Sequence, residues 1–249
     1  MPAPVIMVHG AFCAGWVFDQ FREPFEAAGH AVLTPDLPGH GPGGGVAGRS
    51  MEEYAAAVAD LCRAQAEPPI LIGHSLGGLV AQLAAARSPV SSLILLAPSP
   101  PWGVSGGTME EAISAVSLYA LGPYWLQAID PDYALAKRFS LDRMAREDRH
   151  AAFARMVPES GLALWQTLNW WLDPFMTTAV GRIAAPALVL AGEQDVIHPP
   201  ATARQTAQRL AARFVTMSGM SHWLPAEPGW QDAAALCLDW LAEERRAAA

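Results

Sequence analysis

The chain has 249 residues, of which 52% are hydrophobic and 16% charged, and it carries a net charge of -8. That length and apolar content suit one α/β domain with an insertion, and exclude a disordered chain outside the Ala-rich C-terminal tail. An acidic surface with no Lys/Arg cluster disfavours nucleic acid and membrane surfaces as partners; the expected partner is a small-molecule substrate, with monomer and homodimer both left open.

In chain order, short apolar runs alternate with longer helical patterns. The runs are Val5 to Val8, Ala31 to Thr34, Ile70 to Ile72, Leu93 to Leu96, Ala187 to Leu190 and Phe214 to Met217. Their apolar character is continuous rather than alternating, which predicts strands of a parallel sheet covered on both faces. Ser50 with Glu53 three residues on is a capping-box signal for a helix carrying Tyr54, Val58, Leu61 and Cys62. The run Leu76 to Ala86 is apolar almost all round, which predicts a helix deep against the sheet. From Pro100 to Arg182 the rhythm breaks: there are several helical patterns, no convincing strand, and Trp102, Trp125, Trp165, Trp170 and Trp171. This stretch reads as a helical insertion, entered through Pro98-Ser99-Pro100-Pro101-Trp102-Gly103. The last helix begins near Gln231, with Ala234, Cys237, Leu238 and Leu241 on one face.

The chemistry concentrates in Gly73-His74-Ser75-Leu76-Gly77-Gly78, between a predicted strand and a predicted helix. A serine on so sharp a turn adopts a strained backbone, and glycines two positions either side let neighbouring chain pass. The spacing lacks the terminal Lys-Ser/Thr of a phosphate-binding loop and the G-x-G-x-x-G of a dinucleotide fold. Ser75 is therefore the candidate nucleophile. A hydroxyl needs a base, and of seven histidines His222 follows the last strand through the flexible turn Ser218-Gly219-Met220-Ser221. His30 and His150 read as surface residues, His74 as a packing residue and His9 as support for its own turn. His198 stands close after the candidate acid. That acid is Asp195, closing Gly192-Glu193-Gln194-Asp195 beyond another strand, where it would fix the tautomer of the base; an ordinary helix-capping aspartate is the alternative, and Glu193 is the backup acid. The oxyanion of an acyl intermediate would meet the backbone N–H of Leu76 and of Ala11, chosen over Phe12 in His9-Gly10-Ala11-Phe12.

Together with Asp36-Leu37-Pro38-Gly39-His40-Gly41 and with Glu227 after His222, these residues resemble the α/β-hydrolase superfamily over nearly the whole chain. Within it, His9-Gly10-Ala11-Phe12-Cys13-Ala14-Gly15-Trp16 resembles the subgroup of plant methyl-esterases, hydroxynitrile lyases and small bacterial esterases. The resemblance implies an α/β-hydrolase fold, with a mostly parallel sheet of about six strands covered by helices on both faces. It also implies that residues 1–99 and 183–249 form the core and 100–182 a helical cap, and that the two antiparallel strands beginning the full sheet are shortened or absent. The lyases of the subgroup carry a lysine beside the catalytic histidine; here Trp223 stands there, which argues against that chemistry.

The expected activity is hydrolysis of a carboxylic ester, lactone or thioester of a small, largely hydrophobic substrate. Phe12, Trp102 and Trp223 are the expected substrate contacts, although the cap tryptophans would equally serve as the cap's own core. Hydrolysis of a C–C bond or cofactor-free perhydrolysis on the same triad, and non-catalytic ligand binding, are the alternatives. No cofactor and no metal are expected. Cys13, Cys62 and Cys237 lack zinc or disulfide spacing, which fits a reducing compartment. The N-terminus carries no basic residue and no stretch reaches membrane-spanning length, so the expected location is cytoplasmic.

Overall fold

The computed structural model describes residues 2–105 and 118–247. Its strands are β1 (Val5–Val8), β2 (Val32–Leu33), β3 (Ile70–His74), β4 (Ser92–Leu96), β5 (Ala128–Ile129), β6 (Glu159–Ser160), β7 (Ala187–Gly192) and β8 (Arg213–Met217). Six of them form one sheet in the order β2-β1-β3-β4-β7-β8, every pairing parallel. The four inner strands are buried along their whole length, as continuous apolar runs require. The predicted strand Ala31 to Thr34 contracts to two residues, an edge strand that pairs only with β1.

Because successive side chains point to opposite faces, the strands feed two apolar layers. Ile6, Val8, Leu71, Leu93, Leu95 and Val189 face one layer, into which α2 (Met51–Arg63), α3 (Leu76–Ala85) and α6 (Pro200–Leu210) pack. Val5, Met7, Ile72, Ile94, Leu188 and Leu190 face the other, closed by Phe18 and Phe21 from the segment before α1 (Glu23–Ala27), by Phe25 within it, and by Trp240 and Leu241 from α7 (Trp230–Ala247). Each such aliphatic side chain, fully removed from water, contributes roughly 1.5–3 kcal/mol. The capping box at the start of α2 is formed: Ser50 Oγ accepts from Glu53 N–H while the Glu53 carboxylate accepts from Ser50 N–H. All ten residues of α3 are buried, which is why its sequence has almost no polar face.

Between β4 and β7 the chain forms α4 (Arg146–Ala154), α5 (Gly161–Leu168) and several single turns. The sequence predicts no strand here, yet β5 and β6 pair antiparallel, joining Ala128 to Ser160 and Ile129 to Glu159. Two residues per strand are too few to show a period of two, so the pair leaves no pattern to read. The helical patterns expected within 106–117 lie outside the described residues. His30, expected at the surface, is only 5% exposed, because its Nδ1 sits 2.7 Å from the Ala3 carbonyl and its ring lies against Phe25. Among the described residues no helix is long and apolar enough to cross a membrane. The three cysteines are buried and free.

Candidate active site

The turn from β3 into α3 places Ser75 at φ 53°, ψ -123°, a conformation L-residues rarely adopt. Its backbone is pinned on both sides: Ser75 N–H donates to Leu96 O at 3.0 Å, and Ser75 O accepts from Gly78 N–H at 2.8 Å and Ser99 N–H at 2.9 Å. Glycine is obligatory around it. A Cβ on Gly73 would lie 2.4 Å from Gly77 O, and one on Gly77 would lie 2.2 Å from His9 O, so α3 meets the end of β1 backbone to backbone. The hydroxyl emerges at the carboxyl ends of the strands, over the N-terminus of α3.

The loop after β8 brings His222 to this hydroxyl, with Nε2 3.0 Å from Ser75 Oγ. On the other side of the ring, Nδ1 is 2.9 Å from Asp195 Oδ2. A carboxylate offers no proton, so Nδ1–H donates to Asp195 and Nε2 is left to accept from the serine. The second oxygen, Asp195 Oδ1, accepts from Ile197 N–H at 2.8 Å and His198 N–H at 2.9 Å. Burial alone would push the Asp195 carboxyl up; the charge and hydrogen bond of His222, helped by His198, outweigh it and hold the group below the usual carboxylate value. The structure thus joins Ser75, His222 and Asp195, which are spread over three strand ends, in one hydrogen-bonded line.

The turn after β1 closes against the same serine. A Cβ on Gly10 would stand 2.9 Å from Ser75 Cβ, which sets how near this backbone comes. His9 braces the turn. Leu37 N–H donates to its Nε2 at 2.9 Å, so Nδ1 carries the proton and reaches Gly10 O at 2.9 Å; burial lowers the ring's pKa to about 4 and keeps it neutral. Phe12, at φ 61°, has its N–H directed to the Glu159 carboxylate at 3.4 Å and its carbonyl accepting from Val157 N–H at 3.0 Å. Among the described residues the N–H groups of Ala11 and Leu76 donate to no protein acceptor.

The remaining sequence candidates separate clearly. His74 is buried, its pKa lowered to about 3 by burial, and its Nε2–H donates to His222 O at 2.9 Å, so it props the loop that carries the base. His150 is exposed and stacks on Tyr133. His198 lies against the triad, Nε2 2.9 Å from Ser99 Oγ and its ring 5.3 Å from that of His222. Glu193 is exposed and accepts from Ser218 Oγ–H and Gly219 N–H, turned away from His222. Trp102 is half-buried and meets Trp170 edge-on at 5.4 Å. Trp223 is 3% exposed and packs against Trp16 and His74 in the second apolar layer. Two acids that sequence reasoning passed over, or mentioned only in the resemblance, support the site. Glu227 accepts from Ser221 N–H at 2.6 Å, immediately before His222, and burial raises its pKa to about 7. Glu159, from β6, is fully buried beside the turn after β1.

Comparison with known proteins shows the family and the fold. A family model described as the alpha/beta hydrolase family matches residues 5–236. The chain is 34% identical over 220 residues to a pimeloyl-[acyl-carrier protein] methyl ester esterase of Chromobacterium violaceum, covering 83% of this chain and 81% of that protein. Among solved structures, a methylesterase from Arabidopsis superposes with TM-score 0.74 at 15% identity, over 96% of this chain and 99% of that one. A pyrethroid hydrolase from Sphingobium faniae superposes with TM-score 0.69 at 24% identity, over 96% of each chain. With the family model spanning nearly its whole length, the chain belongs to the alpha/beta hydrolase family.

Proposed function

We propose that the protein is a serine esterase in which Ser75 is the nucleophile, His222 the general base and Asp195 the group that orients and stabilises the base. Ser75 Oγ attacks the acyl carbon as its proton passes to His222 Nε2, and the resulting imidazolium is stabilised by Asp195. The carbonyl oxygen becomes an oxyanion held by Ala11 N–H and Leu76 N–H, the latter at the positive end of α3. The C–O bond then breaks as His222 returns its proton to the departing alkoxide, leaving an ester on Ser75. Water repeats the sequence on that ester, His222 taking a proton from the water and giving it back to Ser75, so acid and alcohol leave and the enzyme is restored.

The observation that carries this reading is the pair of contacts at 3.0 Å and 2.9 Å on opposite nitrogens of one buried imidazole. The esterase and hydrolase relatives favour an ester over other acyl compounds. A small, largely hydrophobic substrate is favoured by the half-buried apolar side chains on the elbow side of the sheet, Phe12, Leu118, Trp125, Trp165 and Val180. In this reading 100–182 is a cap over residues 1–99 and 183–249, and Phe12 and Trp102 border the acyl site.

Labelling by a fluorophosphonate tests the assignment. Wild type and the Ser91→Ala variant, altered at an exposed serine away from the site, should label; Ser75→Ala should not, and its turnover of p-nitrophenyl acetate should fall by about 10⁴-fold or more. A Ser75→Ala protein that labels or turns over like wild type would overturn the reading.

A further inference from the structure

We propose that Glu159, supplied by the insertion, is a positioning residue for the oxyanion-binding turn, consuming the Phe12 N–H so that Ala11 N–H is the turn's available donor. The inference rests on the reading of Ser75 and its two amide donors given above. Its basis is the set of bonds to one buried carboxylate. Oε2 accepts from Phe12 N–H at 3.4 Å and faces His40 Nε2 at 3.1 Å; Oε1 accepts from Tyr54 Oη–H at 2.8 Å and Ser160 N–H at 2.7 Å. These donors come from the turn after β1, the loop after β2, helix α2 and β6 itself.

A carboxylate with no solvent contact persists only when its lone pairs are filled and its charge is answered. His40 answers it. Burial pulls the His40 ring down, but the hydrogen bond and charge of Glu159 outweigh that and hold it above the usual imidazole value. The pair is screened from water, with side-chain exposure of 0% on both partners. His40 in turn meets the edge of His9 at 4.9 Å, and His9 holds Gly10 O. Phe12 keeps a left-handed backbone at φ 61° because both its N–H and its C=O bond to the insertion, through Glu159 and Val157. Without the carboxylate, the Phe12 amide is free to swing and the turn loses the restraint that separates the two neighbouring donors.

Glu159→Gln is the sharpest probe, since the carboxamide is nearly the same shape. Its oxygen can still serve Tyr54 and Ser160, while its NH₂ confronts the Phe12 and His40 donors. With p-nitrophenyl acetate, kcat should fall about tenfold, less than the hundredfold or more typical of deleting an oxyanion donor, with KM within about twofold. Affinity for a trifluoromethyl ketone, whose adduct with Ser75 bears an oxyanion, should fall by the same factor. Tyr54→Phe, which removes one neutral donor from Oε1, should show a weaker form of the same split, about threefold in kcat and in ketone affinity. Unchanged kcat and ketone affinity in Glu159→Gln, or a change in KM alone, overturns the proposal. If that variant does not fold, wild-type kcat and ketone affinity in Tyr54→Phe overturn it. Ser75→Ala in the same assay keeps the two readings apart, because residual wild-type turnover there indicts the triad and not Glu159.

Discussion

Ser75 and His222 meet at 3.0 Å, yet the backbone around each is fixed by a different kind of force. On the serine side the restraint is shape. Around the nucleophile elbow itself, Gly73 and Gly77 let backbone pass where any Cβ would come within 3 Å of its neighbours. On the histidine side the restraint is mainly polar. Asp195 holds the ring, His74 holds the backbone carbonyl and Glu227 holds Ser221 N–H, with one close approach at Gly192. Each half is therefore weak in its own way: the first should fail when volume is added, the second when charge is changed.

Removing charge from the histidine side should have the largest effect. In Asp195→Asn the carboxamide oxygen can still accept from the Ile197 and His198 amides, so its NH₂ faces His222 Nδ1. The ring must then carry its proton on Nε2, where it cannot accept from Ser75. A loss in kcat on the order of 10⁴-fold is expected, with the thermal midpoint nearly unchanged because the shape is kept. Steady-state kinetics beside a melting curve checks both halves. A loss below tenfold would mean that the carboxylate merely caps the 195–198 turn.

Adding volume to the serine side should cost stability and activity together. In Gly77→Ala the new methyl would lie 2.2 Å from His9 O and 2.3 Å from Val8 O, both backbone atoms that cannot rotate away. Either α3 shifts outward, carrying Ser75 from His222, or β1 bends. Such overpacking costs about 1–3 kcal/mol and sometimes more, so a thermal midpoint lower by several degrees is expected. A Gly77→Ala protein with wild-type melting and turnover would show that the packing of α3 on β1 does not set the position of the serine.

The serine side was also the more legible in sequence. Glycines at 73 and 77 around a serine, after an apolar run, state a steric requirement in local residues, and the strands that frame the site are each a continuous apolar run. Asp195 and His222 were legible because each follows such a run closely. The polar supports were not. Glu159 lies in Val157-Pro158-Glu159-Ser160 just before α5, where an acid reads as an ordinary helix-start residue. Its partners Tyr54 and His40 lie 105 and 119 residues away in sequence, and a hydrogen bond across that distance leaves no spacing to recognise. His30 escaped for the same reason, its burial depending on the Ala3 carbonyl 27 residues earlier. Trp223 reads as a pocket residue from its place beside His222, but the chain after the histidine turns the indole toward Trp16 and His74.

The smallest effect sharpens the contrast from the stabilising direction. Glu227 is buried at the base of the His222 loop, and burial raises its pKa from 4.5 to about 7, opposed by the Ser221 N–H bond and reinforced by the charge of Asp142. His222 and Asp195 also face it, with opposite influence. Between pH 4.5 and about 7 the folded chain therefore holds a proton that the unfolded chain has released, so folding stability declines as pH rises through that window. Above it the folded state bears a buried carboxylate whose Oε2 has no hydrogen-bond partner among the described residues. Glu227→Gln keeps an oxygen for Ser221 N–H and removes the charge. Its thermal midpoint should exceed wild type by about 2–4 °C at pH 8, and the gain should vanish near pH 4.5, where both side chains are neutral. Melting curves at the two pH values decide the matter. An equal gain at both would trace the effect to packing, and a loss at pH 8 would mean that the charge on Glu227 strengthens the Ser221 bond by more than its burial costs.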